Sequence, residues 1–234
     1  MGCQEEQVLK QVIELYEKIL SLGSLKPSKD LNKLFTQLVL VCLAPSEIDV
    51  TKLAPKFQEM RSKLLGLRAE AEGHLETHYS TIIGNCYDEP LNYLHICPYF
   101  DRYIKRCFLE YNILTKYSTQ VPRRVAMIGS GPLPLTSIIL ALRHLPATQF
   151  DNYDLDPAAN EMAARLVESD SNLSSRMHFH TKNVMSIGKD ELQEYDVVFL
   201  AALVGLERQE KIQVIQHLAQ NMAPGSDLLF IFDL

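Results

Sequence analysis

The stretch that most constrains this chain runs from Arg123 to Leu142, RRVAMIGSGPLPLTSIILAL. A short apolar run, Val125 to Ile128, meets Gly129 and Gly131, and a proline-marked apolar helix starts near Pro132 to Leu135. Strand, Gly-rich turn and helix in immediate succession are the first unit of a nucleotide-binding α/β sheet. The glycines let the backbone turn sharply and approach a ligand closely.

The C-terminal half repeats strand and helix. Thr148 to Tyr153 reads as a second strand ending at Asp154, and a helix runs from about Ala158 to Val167. Met177 to His180 is a third strand and Asp196 to Leu200 a fourth. Arg208 to Asn221 is a helix, and Pro224-Gly225 turns into a fifth strand, Leu228 to Phe232. Apolar strands alternating with helices predict a parallel sheet covered on both faces.

The N-terminal half has helical periodicity only. Glu5 to Leu20 is apolar on one face, and Asp30 is placed to cap a second helix ending near Leu43. A long third pattern runs from Pro55 to Gly84, followed by a short helical piece, Leu91 to Ile96, and a helix from Pro98 to Tyr117. The expected architecture is therefore α/β: an α-helical domain, 1–120, and a Rossmann-like domain, 121–234. Tyr16 to Ile19 has the shape of a tyrosine-based sorting signal, but one turn of amphipathic helix with Tyr16 and Ile19 facing inward explains it more simply.

Composition narrows the function. A net charge of −6 and no basic block beyond Arg123-Arg124 argue against a nucleic-acid surface. No early apolar segment approaches the roughly 20 residues of a membrane span. Five scattered cysteines with no C-x-x-C pair read as reduced cytoplasmic thiols, neither a disulfide frame nor a zinc site. His74 and His78 lie four apart on one helical face, but HLETH lacks the acid placement of zinc peptidases and no third ligand is evident. No metal site is expected.

The glycine turn departs from the dinucleotide fingerprint. Pro134 stands where a third glycine would, and Pro132 and Pro134 remove two amides that could cradle phosphate. The turn suits an adenosine ligand without phosphates, for which S-adenosylmethionine is the common cellular example. Gly129, Ser130 and Gly131 would form its cradle, and Asp154, Asp156, Thr181, Asn183 and Ala202 complete the candidate binding set at the strand ends. An NAD(P) site and a ligand-free structural domain are the alternatives.

GSGPLPLTSIILA, FDNYDLDPAAN, LSSRMHFHTKNV, YDVVFLAALVG and MAPG, with EAEGHLE and NYLHICPYFDRY upstream, resemble plant nicotianamine synthase over nearly the whole chain. The resemblance implies an aminopropyltransferase that takes S-adenosylmethionine as its substrate. Three molecules are joined through their 3-amino-3-carboxypropyl groups, an azetidine ring closes, and methylthioadenosine leaves. The product, nicotianamine, chelates iron, copper and zinc for transport; the reaction needs no metal. The resemblance also places the catalytic acid at Glu76, with Glu72 as alternative, and the catalytic tyrosine at Tyr103, with Tyr99 as alternative.

Three departures accompany it. Asn183 stands where the family usually has Asp, Phe100 where it tends to have a second Tyr, and the family continues beyond SDLLFIFDL with an RSAHG-type segment. The last of these predicts a C-terminally truncated member. The rival readings are a non-catalytic member that binds ligand or a full-length partner, and a small-molecule methyltransferase. Self-association into a homo-oligomer is compatible with each.

Overall fold

The structure is a computed structural model that describes residues 3–46, 48–86, 88–117 and 120–231. The described residues fall into two compact units, one running to Leu75 and the other starting at Glu76.

The first unit contains α1 (Cys3–Leu20), α2 (Lys29–Leu43), a 3-10 turn (Val50–Lys52) and the first part of α3 (Pro55–Gly84). Helices α1 and α2 pack on each other. Leu9, Leu15 and Ile19 are buried while Leu20 is exposed, the one-sided pattern of an amphipathic helix. Ile19 is only 1% exposed, as expected of a packing residue in the Tyr16–Ile19 stretch. The cap of α2 differs from expectation. Ser28 holds the extended N-cap conformation and accepts the Leu31 amide at 3.1 Å, leaving Asp30 in the first turn, where its charge complements the helix dipole.

The second unit begins inside α3 and continues through a 3-10 segment (Pro90–Ile96) and α4 (Phe100–Tyr117) into the sheet. Its strands are β1 (Arg124–Ile128), β2 (Gln149–Asp154), β3 (Met177–Thr181), β4 (Val197–Leu200) and β5 (Asp227–Phe230). Interleaved with them are α5 (Leu135–Arg143), α6 (Pro157–Val167), the single turns α7 (Ser171–Ser174) and α8 (Lys189–Leu192), and α9 (Arg208–Asn221). Phe232, the expected end of β5, lies outside the described residues.

All pairings among the described strands are parallel, in the order β3-β2-β1-β4-β5. Side-chain alternation divides the core in two. Val125, Met127, Phe150, Val197 and Phe199 join Ile138, Leu166 and Cys107 on one face. Ala126, Ile128, Tyr153, Val198 and Leu200 join Leu192, Val214 and Leu218 on the other. Strand order reverses between β1 and β4. In open parallel sheets the crevice beyond the carboxyl ends at such a reversal is where ligands bind. The register, Ile128 beside both Tyr153 and Leu200, brings Gly129, Asp154 and Ala201 level at that edge.

Candidate active site

Gly129 and Gly131 both adopt the left-handed conformation, at φ 78° and 67°, which costs a residue with a side chain roughly 1–2 kcal/mol. The turn is pinned to β2. The amides of Gly129 and Ser130 donate to the Tyr153 carbonyl at 2.8 and 3.1 Å, and the Gly131 amide donates to Asp154 Oδ2 at 2.9 Å. The Ser130 hydroxyl, between the glycines, is buried and has no hydrogen-bond partner among the described residues. An orphaned buried hydroxyl inside the cradle fits a polar ligand, since leaving it unmatched is costly.

Two neighbours close on this turn. A methyl group at Gly131 would collide with Glu76 Oε2 and lie 3.3 Å from Glu76 Cδ, so the Glu76 carboxylate sits directly against the glycine. A methyl at Gly129 would collide with Val204 Cγ2 and come within 3.2 Å of Ala201 Cβ. The turn thus lies between a carboxylate carried by α3 and the loop that leaves β4. Glu72, the alternative acid, is ion-paired with Arg68 at 3.8 Å and belongs to the first unit.

Tyr103 is half-buried on α4, with the Arg106 guanidinium 4.3 Å from its ring centroid. Arg106 also donates to Thr136 Oγ1 at 2.8 Å, in the first turn of the helix after the glycine turn. The cation therefore ties the tyrosine's helix to the cradle. Tyr99 has Arg102 5.1 Å from its ring centroid. Buried Cys107 next to Arg106 packs toward the Thr136 carbonyl, and burial pushes its thiol up to about 12. Such a thiol stays protonated and inert.

The remaining candidate residues divide their hydrogen-bonding capacity. Asp154 Oδ1 accepts the Asp156 amide at 3.0 Å, so this carboxylate braces its own exit turn as well as Gly131. Asp156 caps α6 through the Ala158 amide. Thr181 Oγ1 accepts from Asn160 Nδ2 at 2.9 Å, and the side-chain oxygen Oδ1 of Asn160 is buried without a partner among the described residues. Asn183 Oδ1 accepts the Met185 amide at 2.9 Å, which leaves that oxygen one further lone pair. The Ala202 carbonyl accepts from Lys211 Nζ at 2.8 Å. Arg106, Asn160, Val204 and Lys211 are thus site neighbours that sequence spacing does not reveal.

His74 approaches Glu70 at 3.7 Å and His78 packs edge-on to Tyr79. No group of three or more His, Cys, Asp or Glu residues that could hold a metal ion occurs among the described residues. No described helix is long and apolar enough to cross a membrane.

Comparison with known proteins decides the family. The model of the nicotianamine synthase protein family matches residues 2–231. The chain belongs to the nicotianamine synthase family. It is 55% identical to a nicotianamine synthase of Solanum lycopersicum over 222 residues, covering 95% of this chain and 69% of the relative. It is 51% identical to nicotianamine synthase 2 of Arabidopsis thaliana over 228 residues, covering 97% and 71%. Among solved structures it resembles a glutamate-to-glutamine mutant of MtNAS in complex with S-adenosylmethionine, with a TM-score of 0.72 at 17% identity, covering 94% and 80% of the two chains. MtNAS in complex with MTA and tNA gives a TM-score of 0.73 at 17% identity, covering 98% and 83%. The family fold therefore extends across almost all of this chain.

Proposed function

We infer that the protein synthesises nicotianamine from S-adenosylmethionine, as its family membership and this site together support. The observation that carries the residue assignment is the Glu76 carboxylate lying on Gly131, at the crevice where the strand order reverses. In each transfer the α-amino nitrogen of one substrate attacks the γ-carbon of another's aminocarboxypropyl group. The carbon–sulfur bond breaks, its electron pair stays on sulfur, and neutral methylthioadenosine leaves. The new ammonium loses a proton. Closing the azetidine repeats this within one molecule.

Glu76 is placed to hold the attacking amine and take that proton. A free α-amino group has a pKa near 8, so deprotonating it at pH 7 costs only about 1.4 kcal/mol. Alignment of the reacting atoms can contribute roughly 7–11 kcal/mol. The residues that fix position therefore matter more than base strength. Tyr103, held by Arg106, orients the amine or faces the sulfonium. The glycine turn with Ser130 and Asp154 receives the adenosine, and Asp156, Thr181, Asn183 and Ala202 line the strand ends around it. The prolines at 132 and 134 give this cradle fewer amides than a pyrophosphate site uses.

This reading assigns the adenosine cradle to a domain of residues 121–234 and the helices before it to a domain of 1–120, along the change from helices to strands. Chelation of iron, copper or zinc belongs to the product. Purified protein incubated with S-adenosylmethionine and analysed by mass spectrometry should yield nicotianamine and methylthioadenosine. S-adenosylhomocysteine with a methylated acceptor would instead identify a methyltransferase, and bound substrate without product a non-catalytic member.

A further inference from the structure

Lys211 lies in the first turns of α9, directly beside the crevice. Its Nζ donates to the carbonyls of Ala202, at 2.8 Å, and Ala201, at 3.4 Å, the two residues that leave β4. Ala201 packs against Gly129 of the cradle, and the same loop carries Val204 onto that glycine. At its other end Gly205, at φ 68°, packs against the backbone of Lys211, so loop and lysine hold each other in place.

Two properties set this ammonium apart. An ammonium has three donor protons, and the backbone carbonyls take two. It is also half-buried, yet no carboxylate oxygen of the described residues lies within 4.0 Å of it. Burial lowers its pKa, and no neighbouring charge opposes that shift. A partly buried cation without a counter-ion is costly. Every substrate of the proposed reaction carries a carboxylate that must be located while the adjacent amine or γ-carbon reacts. Arg106, a second cation near the cradle, is already shared between Glu110, Thr136 and the Tyr103 ring.

We propose that Lys211 is the carboxylate-reading residue of the site, binding the α-carboxylate of the aminocarboxypropyl group through its remaining proton while its two carbonyl contacts keep it aimed at the crevice. The proposal rests on the S-adenosylmethionine reading above and adds to it the recognition of the amino-acid end. It also gives the β4 exit loop a purpose beyond connecting strand to helix, because the loop's own carbonyls orient the cation.

Decarboxylated S-adenosylmethionine tests this, since it keeps adenosine and sulfonium but lacks the carboxylate. By calorimetry the wild-type protein should bind S-adenosylmethionine more tightly than the decarboxylated compound. Lys211→Gln, whose amide can still donate to a loop carbonyl, should weaken S-adenosylmethionine about 10- to 100-fold, the usual worth of a charge-assisted contact, and leave the decarboxylated compound and methylthioadenosine unchanged. Equal loss for all three ligands, or loss for none, would overturn the proposal and leave Lys211 a loop tie.

A second measurement needs no variant. Acylation of Lys211 in the wild-type protein, read by peptide mass spectrometry, should be slowed by S-adenosylmethionine and not by the decarboxylated compound. Equal protection by both contradicts the proposal. A wild-type protein that binds neither S-adenosylmethionine nor methylthioadenosine would instead contradict the proposed function itself.

Discussion

The Asp154 carboxylate accepts the Gly131 amide at 2.9 Å, so the acid at the end of β2 holds the glycine turn at the end of β1. Its second oxygen accepts the Asp156 amide. One side chain thereby fixes both walls of the cradle before any ligand arrives. Such preorganisation reduces the ordering cost of binding.

Asp154→Ala should therefore weaken S-adenosylmethionine binding about 10- to 100-fold, in line with roughly 1.5–3 kcal/mol for a hydrogen bond to a charged group. Asp154→Asn should recover part of that loss, because an amide oxygen can still accept from Gly131. Calorimetric titration of both variants checks this; unchanged affinity in Asp154→Ala would contradict the assignment.

Gly129 combines a left-handed backbone with Val204 in the space of a side chain. Gly129→Ala should lower the melting temperature through about 1–2 kcal/mol of backbone strain and a further steric cost. Adding Val204→Ala removes the colliding methyl and should restore only the steric part. Thermal melts of the single and double variants separate the two contributions, and additive losses would rule out the contact.

Much of this arrangement is legible in the sequence, and the reasons are local. Apolar runs such as Val125 to Ile128 and Val197 to Leu200 announce buried parallel strands, and two glycines after the first of them mark the turn. Glu72 and Glu76 show the limit. Four residues apart on one helix, they are equivalent by spacing, and only the folded chain puts Glu76 against Gly131. Asp30 and Ser28 competed for one cap, which went to the residue whose hydroxyl reached the Leu31 amide. Arg106 and Lys211 act across element boundaries, where no periodicity connects a residue with its partner.

Polar residues inside β2 also escape a reading by hydrophobic pattern. Asp151 is 3% exposed and forms hydrogen bonds with Arg124 at 2.8 Å and His180 at 2.7 Å. Burial alone would raise its pKa, but Arg124 and His180 outweigh burial and hold the carboxyl below its ordinary value. The folded pKa thus lies below the unfolded one. The stabilisation is complete above the unfolded value of about 3.9 and disappears as pH falls through the folded value. Asp151→Asn should cost about 1.5–3 kcal/mol at pH 7, with the gap to wild type narrowing below about pH 4. Urea unfolding at pH 7 and in acid checks the trend; a gap that does not depend on pH would contradict it.

Glu76→Gln keeps the side chain's shape on Gly131 while removing its charge and basicity. It should bind S-adenosylmethionine with affinity close to wild type and lose transfer by roughly 10²- to 10⁴-fold, the usual range for a positioned proton acceptor. Single-turnover assays with equilibrium binding on the same preparation distinguish the two effects. Full activity in this variant would move the acid elsewhere.

The most direct test of the proposed reaction is the stoichiometry of products from S-adenosylmethionine alone, quantified by mass spectrometry. Two transfers between molecules and one ring closure each expel methylthioadenosine, so three methylthioadenosines are predicted for every nicotianamine. A different ratio would contradict that sequence of steps, and S-adenosylhomocysteine in place of methylthioadenosine would contradict the reaction assigned to this site.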